Sequence, residues 1–148
     1  MTDENELSLA FEIIGGDFRR AGSVSTKIKE ILQEIGIDSS VIYRAAIAMY
    51  EAEMNVVMYA KKGQFTLHLS PSMIQMKIDD EGPGIGDIGL AMQEGYSTAT
   101  NEMREMGFGA GMGLPNIKKN ADKFEISSTL GKGTSLHMFF YLNQQREE

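Results

Sequence analysis

Apolar and polar positions change their period several times along the chain, and each change predicts an element. Residues 6–14, "ELSLAFEII", alternate and read as a first strand. After "GGD", residues 18–35 carry apolar side chains at helical spacing, with Asp17 placed to cap the start and Gly36 the end. A second helix, "SVIYRAAIAMYEAEMNVVMYA", takes Asp38 or Ser39 as its cap and ends at Lys61 to Gly63. "QFTLHLS" and "MIQMKID" alternate on either side of "PS", the pattern of a hairpin. "DIGLAMQE", residues 87–94, predicts a short helix. Residues 95–113 have no clear period and read as a mobile loop. "GLPNIKKNAD" opens a helix with proline in its first turn, where proline is tolerated. "KFEISST", "LGKG" and "TSLHMFFYL" give a second hairpin, and "NQQREE" a solvated tail.

The predicted order is β, α, α, β, β, short α, loop, α, β, β. Strands adjacent in sequence pair through tight turns, so the expected sheet is mixed and mostly antiparallel, with the helices on one face. A doubly wound parallel sheet needs helices between nearly all its strands, and this order does not supply them. The expectation is an α+β chain forming one two-layer domain over residues 1–148.

Composition narrows the chemistry. There is no cysteine, which removes disulfides and thiolate metal sites. A net charge of −7 argues against broad nucleic-acid binding. The start, "MTDENELSLAF", is acidic and lacks the basic and apolar regions of a signal peptide. No apolar stretch approaches the ~20 residues that span a bilayer, so a cytoplasmic protein without membrane contact is expected.

Four stretches carry candidate chemistry. Glu51 and Asn55 are one helical turn apart and share a face, which projection extends to Arg44 and Ala48. A carboxylate there can act as a general base, and an amide oxygen suits magnesium. Alone, such a pair is usually a solvated helix face. Glu53 projects elsewhere, toward the apolar stripe, where it would snorkel at the edge or pair with an arginine. Second, "IDDEGPG" closes a strand with acids and follows them with a hinge, placing Asp80, Gly82 and Gly84 in a D-x-G-x-G spacing. A carboxylate at a strand exit can accept a hydrogen bond from an exocyclic amine such as adenine's, and glycines let a flat ring approach the backbone. Third, Gly107, Gly109, Gly111 and Gly113 alternate before a helix, where free N–H groups bind phosphate. No strand leads into them, as the dinucleotide fingerprint requires, and no G-K-[ST] closes the loop as in a P-loop. Fourth, "GKGT" brings Thr134 to the last hairpin. His68 and His137 lie in strand patterns without ligand-spaced acids and read as sheet residues, and most methionines read as core filling. Met103, Met106 and Met112 sit in or beside the loop as a soft surface for a partner.

Each stretch alone is weak, but their order is specific. E-x-x-x-N on a helix, D-x-G-x-G after a strand, alternating glycines before a helix and G-x-G-T in a last hairpin closely resemble the four ATP-binding boxes of the GHKL, or Bergerat-fold, ATPase superfamily. DNA gyrase, histidine kinases and MutL share those boxes. "DEGPGIGDIGLAMQEGYST", "GMGLPNIKKNADKFEISS" and "GKGT" are most similar to the small anti-sigma-factor and stressosome-type switch serine/threonine kinases. Residues 1–40 contain no histidine to serve as a histidine kinase's phosphoacceptor, and no transducer domain of the gyrase or MutL kind is expected. The resemblance implies a two-layer sandwich with a mobile ATP lid, and a kinase using ATP and magnesium. It implies Glu51 as general base and Asn55 as magnesium ligand. It implies Asp80 with Gly82 and Gly84 at adenine, and Gly109, Gly111, Gly113 and Leu114 on the phosphate side. Thr134 would support the adenine end. The lid, "ATNEMREMGFGAG", is longer and richer in methionine than in the smallest members, and its Arg104 could reach the γ-phosphate. The implied partner is a small antagonist protein carrying the acceptor serine or threonine, with a sigma factor or phosphatase as output and room for a homodimer. The rival expectation is a nucleotide-gated binding module with little or no phosphoryl transfer.

Overall fold

The computed structural model describes residues 6–93 and 113–142. Among these residues are five strands: β1 (Leu7–Ile14), β2 (Lys62–Ser70), β3 (Met73–Glu81), β4 (Lys123–Thr129) and β5 (Gly133–Tyr141). The helices among the described residues are α1 (Ser23–Ile35), α2 (Ser39–Tyr59), the single turn α3 (Ile88–Ala91) and α4 (Gly113–Asn120). The sheet order is β1-β2-β3-β5-β4. Every pairing is antiparallel, so the mixed character expected from the sequence reduces to a wholly antiparallel sheet. The reason is that β5, not β4, lies beside β3. The chain passes over the core through α4, runs out along the edge as β4 and returns inward as β5.

Alternation puts Phe65, Leu67 and Leu69 of β2, Ile74, Met76 and Ile78 of β3, and Leu136, Met138 and Phe140 of β5 on one face, all buried. Ile28 and Leu32 of α1, Met49 and Val56 of α2 and Ile117 of α4 close over them. Each such side chain contributes roughly 1.5–3 kcal/mol when fully buried. The other face of the sheet carries mainly polar residues such as Gln64, Lys77 and Glu125, which explains the alternation that made the strands readable.

Helix α2 lies at the centre of this layer, packed against the sheet, α1 and α4. It is therefore buried around most of its circumference, and Ala48, projected onto a solvated face, is wholly buried. Arg44 from the same face reaches α4 instead, donating to the Asn120 carbonyl at 2.9 Å and to Asp122 Oδ1 at 3.3 Å. Asp38 caps α2 as expected, accepting the Ser40 amide at 3.2 Å.

Helix α1 begins later than the pattern predicts. Phe18–Arg20 form a 3₁₀ turn, and Asp17 makes no side-chain capping bond there. Gly22 then takes a left-handed conformation at φ 91°, which ends that turn and starts the α-helix at Ser23. The cap comes from another element. Glu53 of α2, 1% exposed, accepts the amides of Gly22 at 3.0 Å, Val24 at 3.2 Å and Ser25 at 2.9 Å. It also accepts the Ser25 hydroxyl at 2.7 Å. The carboxylate neither snorkels nor meets an arginine, because three amides and a hydroxyl at a helix start satisfy it fully. Gly36 ends α1 as expected, at φ 92°.

Candidate functional site

Two corners of the molecule gather the residues singled out in the sequence. The first forms where β3 exits beneath the β4–β5 hairpin. Asp80 Oδ1 accepts the Thr134 amide at 3.0 Å. Gly133 lies so close that a Cβ there would fall on the Asp80 carbonyl oxygen, and one on Gly82 would sit 3.1 Å from both Asp80 Oδ1 and the Ala60 Cβ. The hinge "GPG" folds over the hairpin. The Pro83 carbonyl accepts the Gly131 amide at 2.8 Å, and Gly84 packs against the Thr129 backbone. Asp80, Gly82, Gly84 and Thr134 thus meet in one corner.

Half-burial holds the Asp80 carboxyl above its ordinary value of 3.8. The amides of Thr134 and Gly82 oppose the rise and the Asp79 charge adds to it. Asp80 is therefore a partly desolvated acceptor, already oriented by backbone.

Ser128 joins this corner although nothing in its strand pattern distinguished it. Its hydroxyl accepts the Ile85 amide at 2.7 Å, lies 2.9 Å from the Thr134 hydroxyl and donates to the Gly133 carbonyl at 3.1 Å. One side chain thereby pins the segment after β3 to the last hairpin. Its sequence signal was a serine six residues before Thr134, directly across the hairpin.

The second corner lies between α2 and the start of α4. Asn116 of α4 donates its side-chain amide to Glu51 Oε2 at 3.1 Å. A Cβ at Gly113 would stand 3.5 Å from both Glu51 Oε1 and Asn55 Oδ1, so the missing side chain leaves those groups open to the helix start. Glu51, Asn55 and Gly113 converge, and Asn116, to which no motif in the sequence pointed, orients the Glu51 carboxylate. Its signal was its place in the first turn of a helix opened by glycine. Leu114 is 7% exposed and packs into the core. Gly107, Gly109, Gly111, Arg104, the expected mobile lid with its methionines, and the tail lie outside the described residues.

Helix α2 connects the corners. Ala60, at its end, touches Gly82 beside Asp80. At a rise of 1.5 Å per residue, Asn55 lies roughly 7 Å and Glu51 roughly 13 Å back along the axis. The arrangement suits an elongated ligand with a flat, amine-bearing end at Asp80 and an anionic end by Asn55 and Gly113.

His68 and His137 are sheet residues. His68 Nδ1 lies 2.8 Å from the Ser8 hydroxyl, and His137 stacks on Phe139 at 4.2 Å between centroids. Among the described residues no group of three or more His, Cys, Asp or Glu could hold a metal, and no helix is long and apolar enough to cross a membrane.

Comparison with known proteins gives concordant results. The family model of the histidine kinase-like ATPase domain matches residues 17–140. The chain is 30% identical over 118 residues to the serine/threonine-protein kinase RsbT of Bacillus subtilis, spanning 77% of this chain and 83% of that one. It is 35% identical over 104 residues to an anti-sigma F factor of Caldanaerobacter subterraneus, spanning 67% and 69%. In fold it is similar to the crystal structure of RsbU and RsbW domains from Mycobacterium tuberculosis, with a TM-score of 0.61 at 16% identity, over 92% of this chain and 32% of that one.

Proposed function

The chain belongs to the histidine kinase-like ATPase family, and from that membership we propose that it is an ATP-dependent, anti-sigma-type serine/threonine protein kinase that modifies a small antagonist protein. The observation that carries the reading is the convergence of Glu51, Asn55 and Gly113 along the C-terminal half of α2, whose end at Ala60 abuts Gly82 beside Asp80. Asp80 and Thr134 would hold the adenine end and Asn55 the metal, with Gly113 leaving space for the phosphates. When bound, ATP supplies the transferable phosphoryl group and magnesium offsets its charge.

The residues fit these groups. An amide oxygen is a hard ligand, and magnesium takes few protein ligands beside phosphate oxygens and water. Glu51 removes the proton from the acceptor hydroxyl. Asn116, by donating to one carboxylate oxygen, fixes the other toward the α4 start. The output is a partner switch, in which a phosphorylated antagonist changes its hold on a regulator.

The test is single-turnover transfer from labelled ATP to the antagonist, with nucleotide affinity measured in parallel. Glu51→Gln keeps the shape and removes the basicity, so transfer should fall ~10²–10⁴-fold at near-parent affinity. Equal rates would defeat the base assignment. A parent that binds ATP and captures its partner without transfer would be a nucleotide-gated binding module instead. Asn55→Ala should abolish the tightening of ATP binding by magnesium and leave weaker metal-free binding. A parent-like magnesium response would place the metal elsewhere.

A further inference from the structure

Away from the two corners around Asp80 and Glu51, the described residues form a groove of about 570 Å³ between the start of α1 and the outer side of α2. Arg19, Arg20, Lys27 and Lys29 line it with Tyr50, and Glu30 is its one acid. Arg20 lies 3.8 Å from Asp17, an exposed contact that leaves its charge largely available. In a chain of net charge −7, this is a local concentration of cations that the proposed chemistry does not use.

The groove's chemistry is set by Glu53. A helix start would ordinarily offer its free amides to a compact anion. Here the amides of Gly22, Val24 and Ser25 are consumed by the Glu53 carboxylate, and that of Thr26 bonds the Gly22 carbonyl. The attraction for anions therefore resides on long side chains spread along the groove. A single phosphate could engage few of them, whereas an extended acidic segment could engage them all.

An exposed stripe continues from this groove. Tyr43, Ile47 and Tyr50 are four and three residues apart and share one face of α2. Tyr43 is 68% and Tyr50 43% exposed, and Ile47 is half-buried. Tyrosines beside cations suit a partner that brings both acid and apolar contact. Tyr50 and Glu51 are consecutive in α2, so the stripe ends level with the proposed base along the helix axis, with the two side chains on different sides of the helix.

We infer that this groove and stripe dock an acidic segment, bearing apolar side chains, of the protein whose hydroxyl is phosphorylated. The assignment of that segment to the phosphoacceptor rests on the kinase reading above, whereas capture of the segment does not.

The experiment uses the full chain without nucleotide and a fluorescent peptide of alternating Asp, Glu and Leu. Its counterpart has Lys and Arg in place of the acids. The acidic peptide should bind, weaken as salt rises, and bind about tenfold more weakly to an Arg19→Glu/Lys27→Glu variant whose melting matches the parent. Tyr50→Ala should weaken it several-fold, and Asp80→Asn should not change it. In the transfer assay the charge-reversed variant should raise the KM for the antagonist and keep the parent kcat. Equal binding of both peptides, or parent-like binding by the charge-reversed variant, would overturn the docking site. So would tighter binding of an oligonucleotide or of anionic vesicles than of the acidic peptide. Loss of peptide binding in Asp80→Asn would move the site to the nucleotide corner. A parent that binds the peptide at this groove but transfers no phosphate would overturn the kinase reading and leave the groove standing.

Discussion

Asp80 and Glu53 are both carboxylates that accept backbone amides, and they stand in opposite states of completion. Glu53 is buried, with three amides and a hydroxyl around its two oxygens. Asp80 is half-buried, held by the amides of Thr134 and Gly82, and desolvation still lifts its carboxyl above the ordinary range. The saturated group has no remaining capacity for a ligand and joins two helices. The incompletely satisfied group keeps the capacity to accept one further donor. Glu51 resembles Asp80 in this respect, being half-buried with the Asn116 amide on one oxygen. Burial alone therefore does not separate these acids; unused acceptor capacity beside open space does.

The comparison breaks most severely at Glu53. Glu53→Gln keeps the volume but turns a donor toward amides that also donate. At least one buried N–H then loses its partner, at a cost of roughly 3 kcal/mol. For a chain of this size that lowers Tm by roughly 6–12 °C. ATP affinity of the folded fraction should stay near the parent's. An unchanged Tm would show that the α1 start is held by packing alone, and the contrast with Asp80 would fall.

Asp80→Asn is the converse. It retains an oxygen for the Thr134 amide but presents a donor to the adenine amine. Hydrogen bonds to charged groups contribute ~1.5–3 kcal/mol, so ATP affinity should fall roughly ten- to a hundredfold. The sign for stability follows from the raised pKa. The folded chain holds this proton more tightly than the unfolded one. Asp80's favourable contribution is thus present below 3.8 and is lost as pH rises through the raised folded value. At neutral pH the ionised carboxylate is a cost that asparagine removes, so the variant should melt at or above the parent temperature. That advantage should shrink in acid. Parent ATP affinity should likewise weaken on acidification at a higher pH than an ordinary carboxylate would dictate. A variant that melts lower at pH 7 would make Asp80 a structural acid like Glu53.

These two acids also mark how far the sequence was legible. Asp80 was readable because its surroundings are local in pattern: a strand ends, and glycines two and four residues later open the backbone. Its partner Thr134 was readable because "GKGT" sits in a hairpin whose alternation is clear, and β3 pairs directly with β5. The strands and α2 were readable from periods of two and 3.6. Glu53 was placed correctly on the inner side of α2, but its donors lie 28 to 31 residues away, in a turn whose glycine and serine have no distinguishing spacing. The same distance hid the late start of α1. Ala48 was misplaced because projection of one helix cannot show that α4 covers its flank.

Ser128 gives the smallest and most local test. Its hydroxyl is the shared partner of the Ile85 amide, the Gly133 carbonyl and the Thr134 hydroxyl, so it ties both sides of the Asp80 corner without facing the carboxylate itself. Ser128→Ala leaves the half-buried Ile85 amide to find water, at a cost of about 1 kcal/mol. The hinge after β3 and the hairpin then move more independently, while Asp80 keeps the Thr134 amide. ATP affinity should therefore fall about fivefold, clearly less than for Asp80→Asn, with Tm lower by a few degrees. Ser128→Thr retains the hydroxyl and should recover most of the affinity if the bonds, rather than the small size, matter. Calorimetric titration of parent, alanine and threonine variants reads both quantities. An alanine variant with parent affinity would show that Gly133 and Gly82 alone shape the corner by close approach, and that the polar tie serves only the hairpin.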